Sequence, residues 1–218
     1  MVNFSLAKIH DGSLPKRAVR TLILTALAIF AIYTATKAFL AAFSNDDFPE
    51  GLAVKNLLLP HIFPLHMITG GLALVLLPLV FALRRHRHWH RLLGRIAAID
   101  VLLCGLTAFP VALVAPVTGW SAAGFTMQAA TWLSLLVLGF LNIRRGRKAA
   151  HRACMLLMCA VTSGALFFRI YLALWAIFGH GRHYELFYAC DAWIAWLLPL
   201  AVCAGALSVP RQRLTRLI

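Results

Sequence analysis

The sequence FPLHMITGGLALVLLPLVFAL, residues 63–83, runs directly into RRHRHWHR, residues 84–91. The first stretch carries no Asp, Glu, Lys or Arg, and about 20 apolar residues in a helix are enough to cross the roughly 30 Å hydrocarbon core of a bilayer. The second stretch is strongly basic, which is typical of the cytoplasmic end of a membrane span. Together they predict a transmembrane helix whose C-terminal end faces the cytoplasm.

The same pattern recurs along the chain, which is 61% hydrophobic and only 13% charged. We predict six spans: Arg20–Phe43, Phe63–Leu83, Leu92–Val114, Gly124–Ile143, Arg152–Phe178 and Phe187–Val209. Little chain is left for a soluble module. The prediction is therefore all-α, a polytopic bundle of six transmembrane helices forming one integral membrane domain over residues 1–218.

The charges between these spans are sorted by side. Basic residues gather in the N-terminal segment, in the second-to-third and fourth-to-fifth connections and in the tail, and six spans place all of these segments on one side. The positive-inside rule makes that side the cytoplasm, with residues 1–19 and 210–218 as its terminal segments. The net charge of +14 then reflects topology and contact with anionic cytoplasmic headgroups. Nucleic acid is not an expected partner, because no soluble basic face exists to bind it.

Several polar residues fall inside the predicted spans or at their ends. Arg169 lies in the outer half of the fifth span, where an unpaired charge costs several kcal/mol. Asp191, Glu185 or an outer histidine is its expected partner, and Arg95 or Arg152 is the expected partner of Asp100. The histidines form two layers, with His61, His66, His180 and His183 at the outer face and His86, His88, His90 and His151 at the cytoplasmic face.

Three short motifs occur in a fixed order: LHMITGGLAL at residues 65–74, HRLLGR at 90–95 and AHRACM at 150–155, with Arg169 later in the last span. This order resembles the bacterial membrane proteins called "domain of unknown function 2306", over residues 65–207. The resemblance implies a multi-pass protein of the bacterial inner (cytoplasmic) membrane and makes the motif residues candidates for function. It implies no particular reaction, and whether the chain is an enzyme stays open.

The layered histidines suggest haem b and electron transfer, since two imidazoles from different helices hold such a haem in helical bundles. Our candidate metal ligands are His66, His90 and His151, and His180 or His183 would complete an outer site. Gly70 and Gly94, one turn after two of these histidines, would let a porphyrin lie close to the helix. Candidate partners of the haem propionates are Arg91, Arg95, Arg152 and Arg169. A quinone or a redox protein would then be the partner.

Two alternatives come from other features. His151, Cys154, Met155 and Met158 recur at helical spacing on the fifth span and would suit Cu(I) or another soft metal. Methionine and cysteine also fill apolar helix cores, so the same pattern suits simple packing. Six spans without a soluble module are equally typical of a non-enzymatic accessory or transport subunit.

Overall fold

The computed structural model describes residues 16–43 and 50–208, and these residues form seven α-helices. The helices are α1 (Lys16–Ala41), α2 (Glu50–Leu58), α3 (Ile62–Ala82), α4 (Arg87–Leu113), α5 (Gly119–Arg144), α6 (Lys148–Phe178) and α7 (Tyr184–Ser208). All except the short α2 are long and apolar enough to cross a membrane. The prediction of an all-α bundle with six spans is therefore confirmed. Most of the N-terminal segment and the whole tail lie outside the described residues.

The long helices match the predicted spans to within about five residues at each end. The largest differences are at the N-terminal ends of the helices: α5 begins at Gly119, and α4 and α6 begin inside basic segments at Arg87 and Lys148. Arginine and lysine are good helix formers, so α4 and α6 continue past the apolar run into the basic segments. The short helix α2 was not predicted, because its nine residues are far fewer than a span requires.

Consecutive long helices pack side by side, and α7 also folds back against α5. The outermost long helix, α1, packs mainly against α3. We call the end with the basic connections 84–91 and 144–152 the inner end, since the positive-inside rule assigns it to the cytoplasm. The opposite end, which carries α2, is called the outer end.

The bundle is held together by an apolar core that we call the central cluster. Its buried members come from five helices: Ala73, Leu76, Leu77, Ala97, Val101, Cys104, Trp132, Met158, Val161 and Trp196. Val101 and Val161 are completely enclosed, at 0% and 1% exposure. Small residues let the backbones approach, as membrane helices commonly require. A Cβ added at Gly124 would lie 2.8 Å from the carbonyl oxygen of Ala192, so α5 and α7 touch there.

Candidate functional site: a cavity in the outer half of the bundle

A cavity of about 280 Å³ lies in the outer half of the bundle, and all seven helices contribute to its wall. We call it the outer cavity. Its polar lining residues are Thr34, Lys55, His66, Gln128, Thr162, Arg169 and Tyr188. No carboxylate lines it among the residues that the structure describes. The outer cavity therefore combines cationic and neutral polar groups without an acidic partner.

His66 is held in one orientation by the backbone of α4. Its Nδ1 lies 3.2 Å from the carbonyl oxygen of Cys104 and 3.3 Å from Oγ1 of Thr107. A carbonyl only accepts hydrogen bonds, so Nδ1 carries the proton and Nε2 is left as the free ring nitrogen. The Cys104 thiol is 3.7 Å from the same Nδ1. Because Nδ1 already donates to a carbonyl, this imidazole is not a base for the thiol.

Arg169 reaches the outer cavity from α6 without an ion-pair partner. Its Nη1 donates to the carbonyl oxygen of Ala165 at 2.7 Å, one turn earlier in the same helix. The expected pair with Asp191 is not formed, because both carboxylate oxygens of that buried residue lack a hydrogen-bond partner. Within the described segments, the guanidinium therefore lines the outer cavity with its charge unmatched.

The other wall of the outer cavity is aromatic. Phe125, Phe168 and Tyr188 meet edge to face, with ring centroids 5.2 to 6.0 Å apart. This spacing is the favourable range for aromatic pairs. Deeper in the bundle, the Trp132 indole donates to Oγ1 of Thr162 at 2.9 Å. The outer cavity thus has a cationic side and a rigid apolar side.

The short helix α2 covers the outer end of this space. Leu52 and Lys55 of α2 line the outer cavity, and the Lys55 ammonium donates to the carbonyls of Val111 and Val114 at 2.7 and 2.5 Å. These carbonyls belong to the C-terminal end of α4, where orphan carbonyls and the helix dipole favour a cation. Partial burial lowers the pKa of Lys55 below its usual value. The lysine therefore fastens α2 to α4.

His90 and His151 do not reach the outer cavity. Each lies one turn into its helix and contacts the preceding helix instead: Nδ1 of His90 is 3.0 Å from the carbonyl oxygen of Val80, and Nδ1 of His151 is 2.9 Å from that of Gly139. Both imidazoles therefore join the two helices of a hairpin. The arginines expected beside them, Arg91, Arg95 and Arg152, are exposed at the inner end.

His180 and His183 lie in the connection between α6 and α7, outside the outer cavity. They line a separate surface groove with Trp175, Arg182 and Cys190. Both histidines adopt positive φ angles, 50° and 53°, around Gly181. Of the candidate haem ligands and propionate partners, the structure therefore brings only His66 and Arg169 to the outer cavity, within the described residues.

The soft-metal candidates on α6 take part in packing. Met158 is 3% exposed within the central cluster, and Met155 packs against it. The Cys154 thiol receives a hydrogen bond from the Asn142 amide at 3.9 Å. Among the described residues, no three His, Cys, Asp or Glu side chains form a group that could hold a metal ion.

Asp100 also lacks the partner expected from the sequence. It is 5% exposed, and neither carboxylate oxygen has a hydrogen-bond partner. Both candidate partners, Arg95 and Arg152, are exposed side chains. The inner half of α4 therefore buries an acid without an ion pair.

Sequence reasoning missed five polar residues of the outer cavity: Thr34, Lys55, Gln128, Thr162 and Tyr188. Four of them are ordinary members of apolar spans, with no charge to single them out. Lys55 did carry a signal, since it is a lone cation in the mostly apolar segment LAVKNLLL, residues 52–59. Its position between two predicted spans concealed that signal.

The fold and the outer cavity together define a multi-pass α-helical membrane protein. A family model described as "Predicted membrane protein (DUF2306)" matches residues 63–205. The chain therefore belongs to this family, as its three motifs indicated. No curated protein and no solved structure gives a significant match.

Proposed function

We propose that this protein binds a small organic molecule in the outer cavity, as a binding or transport protein of the bacterial inner membrane. The observation that carries the proposal is the convergence of His66, Arg169 and Tyr188 on a space walled by aromatic rings. Ligand sites combine mostly apolar walls with a few polar groups that fix orientation. Such sites in helical bundles lie between facing helices.

The size of the outer cavity limits the ligand. Its 280 Å³ lies just below the usual range of roughly 300–1,000 Å³ for pockets that hold drug-sized molecules. A small molecule, or the polar end and first part of an amphiphile, is therefore the expected occupant. A quinone headgroup with part of its chain is one member of this size class.

The chemistry of the lining favours binding over covalent catalysis. His66 directs Nδ1 to a backbone carbonyl, and Lys55 directs its ammonium to two more. Among the described residues, no Ser, Thr or Cys side chain is recorded at hydrogen-bond distance from the free Nε2 of His66, and the Lys55 ammonium only donates, so neither group has a nucleophile to activate. Orientation of a bound molecule is the role that remains for these side chains.

The proposal can be tested by filling part of the outer cavity with a larger side chain. Ala108 lines the outer cavity, and leucine at this position would occupy part of the space. Decanoate, decanol and a short-chain ubiquinone analogue are titrated by calorimetry into the protein in nanodiscs of zwitterionic lipid. At least one probe is expected to bind wild type, with at least tenfold weaker binding to Ala108→Leu. Equal heats for both proteins with every probe would contradict the proposal.

Haem b is a second candidate, and the orientation of His66 favours it. Imidazoles that bind metals usually donate the other ring N–H to a carbonyl or carboxylate, which is the arrangement of His66. Gly70 follows one turn later, and Arg169 lines the same cavity as a possible propionate partner. The residues present supply one axial ligand, since no second histidine lines the outer cavity in the described part of the chain, and a volume of about 280 Å³ is too small for a whole porphyrin, so haem fits this cavity less well than a small molecule does.

Haem would supply one-electron transfer, with a quinone or a redox protein as partner. The test is a reduced-minus-oxidised absorbance spectrum of membranes from cells grown with a haem precursor. His66→Ala is compared with His61→Ala, an exposed histidine at the outer end. A Soret band lost only in His66→Ala supports haem, and absence of any Soret band from wild type excludes it.

A further inference from the structure

We infer that the occupant of the outer cavity is an amphiphile with an anionic head, carboxylate or phosphate, and that Arg169 supplies its counter-charge. The inference rests on the proposed function and names the class of ligand. It follows because two groups that line the outer cavity, the guanidinium of Arg169 and the hydroxyl of Thr34, lack the partners that they need.

Arg169 is the first of these two groups. It lies in α6, more than two turns before the end of the helix at Phe178, and so within the outer half of the span. A charge at such a depth costs several kcal/mol unless it is paired or hydrated. The guanidinium has five N–H donors, and the structure records one hydrogen bond from them, to Ala165 of its own helix. The Arg169 side chain is partly exposed, so its remaining N–H groups are accessible to a ligand, and an anion in the outer cavity would accept from them.

The neighbours of Arg169 do not supply a counter-charge. The polar groups that share the outer cavity with it are cationic or neutral: Lys55, His66, Gln128 and Tyr188. Asp191, one turn along α7 from Tyr188, is outside the cavity lining, and its two oxygens accept no hydrogen bond. In the described part of the chain, the side chains that line the outer cavity therefore include cations and no carboxylate.

The two cations of the outer cavity, Lys55 and Arg169, differ in whether backbone carbonyls match their charge. The charge of Lys55 is matched by the carbonyls of Val111 and Val114 at the C-terminal end of α4. The charge of Arg169 is not matched in this way. The planar guanidinium fork also suits carboxylate and phosphate oxygens better than an ammonium does. Arg169 is therefore the position at which an anion is recognised.

A second, independent group in the same cavity lacks a partner. The hydroxyl of Thr34 on α1 is buried, at 4% exposure for the residue, and has no hydrogen-bond partner. A buried hydroxyl without a hydrogen-bond partner destabilises the folded state. Thr34 on α1 and Arg169 on α6 come from two helices that contact each other beside the outer cavity, so one ligand head bound there would meet both groups.

The apolar part of the ligand would lie against the aromatic wall. Phe125, Phe168 and Trp132 line the outer cavity together with Leu74 and Met67. These side chains offer no hydrogen bonds along most of their surface, and they favour an alkyl or isoprenoid chain. The head can come from a free single-chain acid or from an anionic phospholipid of the outer leaflet.

The test compares probes that share a ten-carbon chain and differ in their polar head. Decanoate and decyl phosphate are the anionic probes, and decanol is the neutral probe. Each is titrated into wild-type protein in nanodiscs of zwitterionic lipid, with Ala108→Leu as the baseline for partitioning into lipid. The anionic probes are expected to bind at least tenfold more tightly than decanol. Arg169→Gln is expected to remove this preference, and Arg169→Lys to restore part of it.

Arg182→Gln is the matched control, because Arg182 is an exposed cation at the same end of the bundle and lines a different groove. It is expected to keep the full preference for anions. A thermal melt of each variant establishes that it is folded, and Arg169→Lys keeps the test usable if the glutamine variant does not fold.

Nanodiscs that contain phosphatidylglycerol distinguish the source of the head. If phosphatidylglycerol weakens the binding of decanoate, the natural ligand is an anionic lipid, and if it does not, the natural ligand is a free acid. Both results support the inference.

Two results would overturn it. Decanol binding as tightly as decanoate would refute the anionic head and leave the proposed function standing. A preference for anions that survives in Arg169→Gln would refute the role of Arg169. Binding of none of these probes or the ubiquinone analogue would count against the proposed function itself.

Discussion

The two halves of this bundle are built from the same kinds of helix and differ in what fills the space between them. In the inner and central part, Val101, Met158 and Trp196 close the centre with side chains. In the outer part, the same helices enclose a cavity of about 280 Å³ that is lined by His66 and Arg169. Close packing is the ordinary condition of a protein interior. The outer half departs from that condition where its polar groups converge, which is where we place function.

The sharpest test of this difference uses two alanines on one face of α4. Ala97 is 2% exposed in the central cluster, and Ala108, three turns later, lines the outer cavity. Ala97→Leu is expected to lower the free energy of unfolding by about 3 kcal/mol through overpacking. Ala108→Leu is expected to leave it unchanged or raise it, since space is present. Unfolding in mixed micelles titrated with dodecyl sulfate measures both. Equal losses would contradict the contrast between the halves.

The histidines give the next largest expected effect. His90→Ala and His151→Ala each remove a hydrogen bond between the helices of a hairpin, and we expect losses of about 1–2 kcal/mol in the same unfolding assay. His88→Ala is the control, because His88 is exposed at the inner end.

His66→Ala, the corresponding change in the outer half, is expected to lower the free energy of unfolding by less. The carbonyl of Cys104 keeps its hydrogen bond from Thr107 at 3.0 Å when His66 is replaced by alanine. The effect of His66→Ala should appear in ligand or haem binding instead. A loss of stability in His66→Ala as large as that in His90→Ala would mean that the outer histidine is also structural.

Asp100 provides a test in which stability should rise. Its carboxylate is buried in the bundle without a hydrogen-bond partner. Asp100→Leu replaces an unsatisfied polar group with an apolar one and is expected to gain about 1 kcal/mol in the free energy of unfolding. Asp100→Asn keeps the shape and stays polar, so its gain should be smaller. A large loss in Asp100→Leu would show that the acid has a partner or a role that packing does not reveal.

The smallest global effect is expected for Lys55. Lys55→Met keeps much of the chain length and removes both hydrogen bonds to α4. Because α2 is a short peripheral helix, the change in global stability should stay below about 0.5 kcal/mol. Amide hydrogen exchange should instead become faster within residues 50–58, with little change in α4 to α7. Unchanged exchange in α2 would show that the lysine does not hold it.

The fold could be predicted from the sequence because the bilayer imposes strict demands on each span. The apolar run at residues 63–83 and the basic run at 84–91 fixed both a helix and its direction, and the other spans followed by the same rules. Helix α2 could not be predicted in this way. It lies between two spans, and its position depends on a contact between Lys55 and a distant part of the chain.

The candidate site was predictable only in part. His66 and Arg169 stood out because polar groups in an apolar segment are costly. Sequence could not show that His90 and His151 would use their rings to join neighbouring helices, since the carbonyls of Val80 and Gly139 are available only after the hairpins form. The expected pair of Arg169 with Asp191 failed for a similar reason. Residues close in depth along two helices need not face each other.

The attachment of α2 by Lys55 has a kinetic consequence. For a molecule that enters the outer cavity past α2, the two hydrogen bonds from Lys55 to α4 would form a barrier to entry and the same barrier to departure. Loosening that attachment should accelerate association and dissociation by a similar factor and leave the dissociation constant almost unaltered. The residence time of a bound molecule would then depend on this ammonium group as well as on the side chains that recognise the molecule.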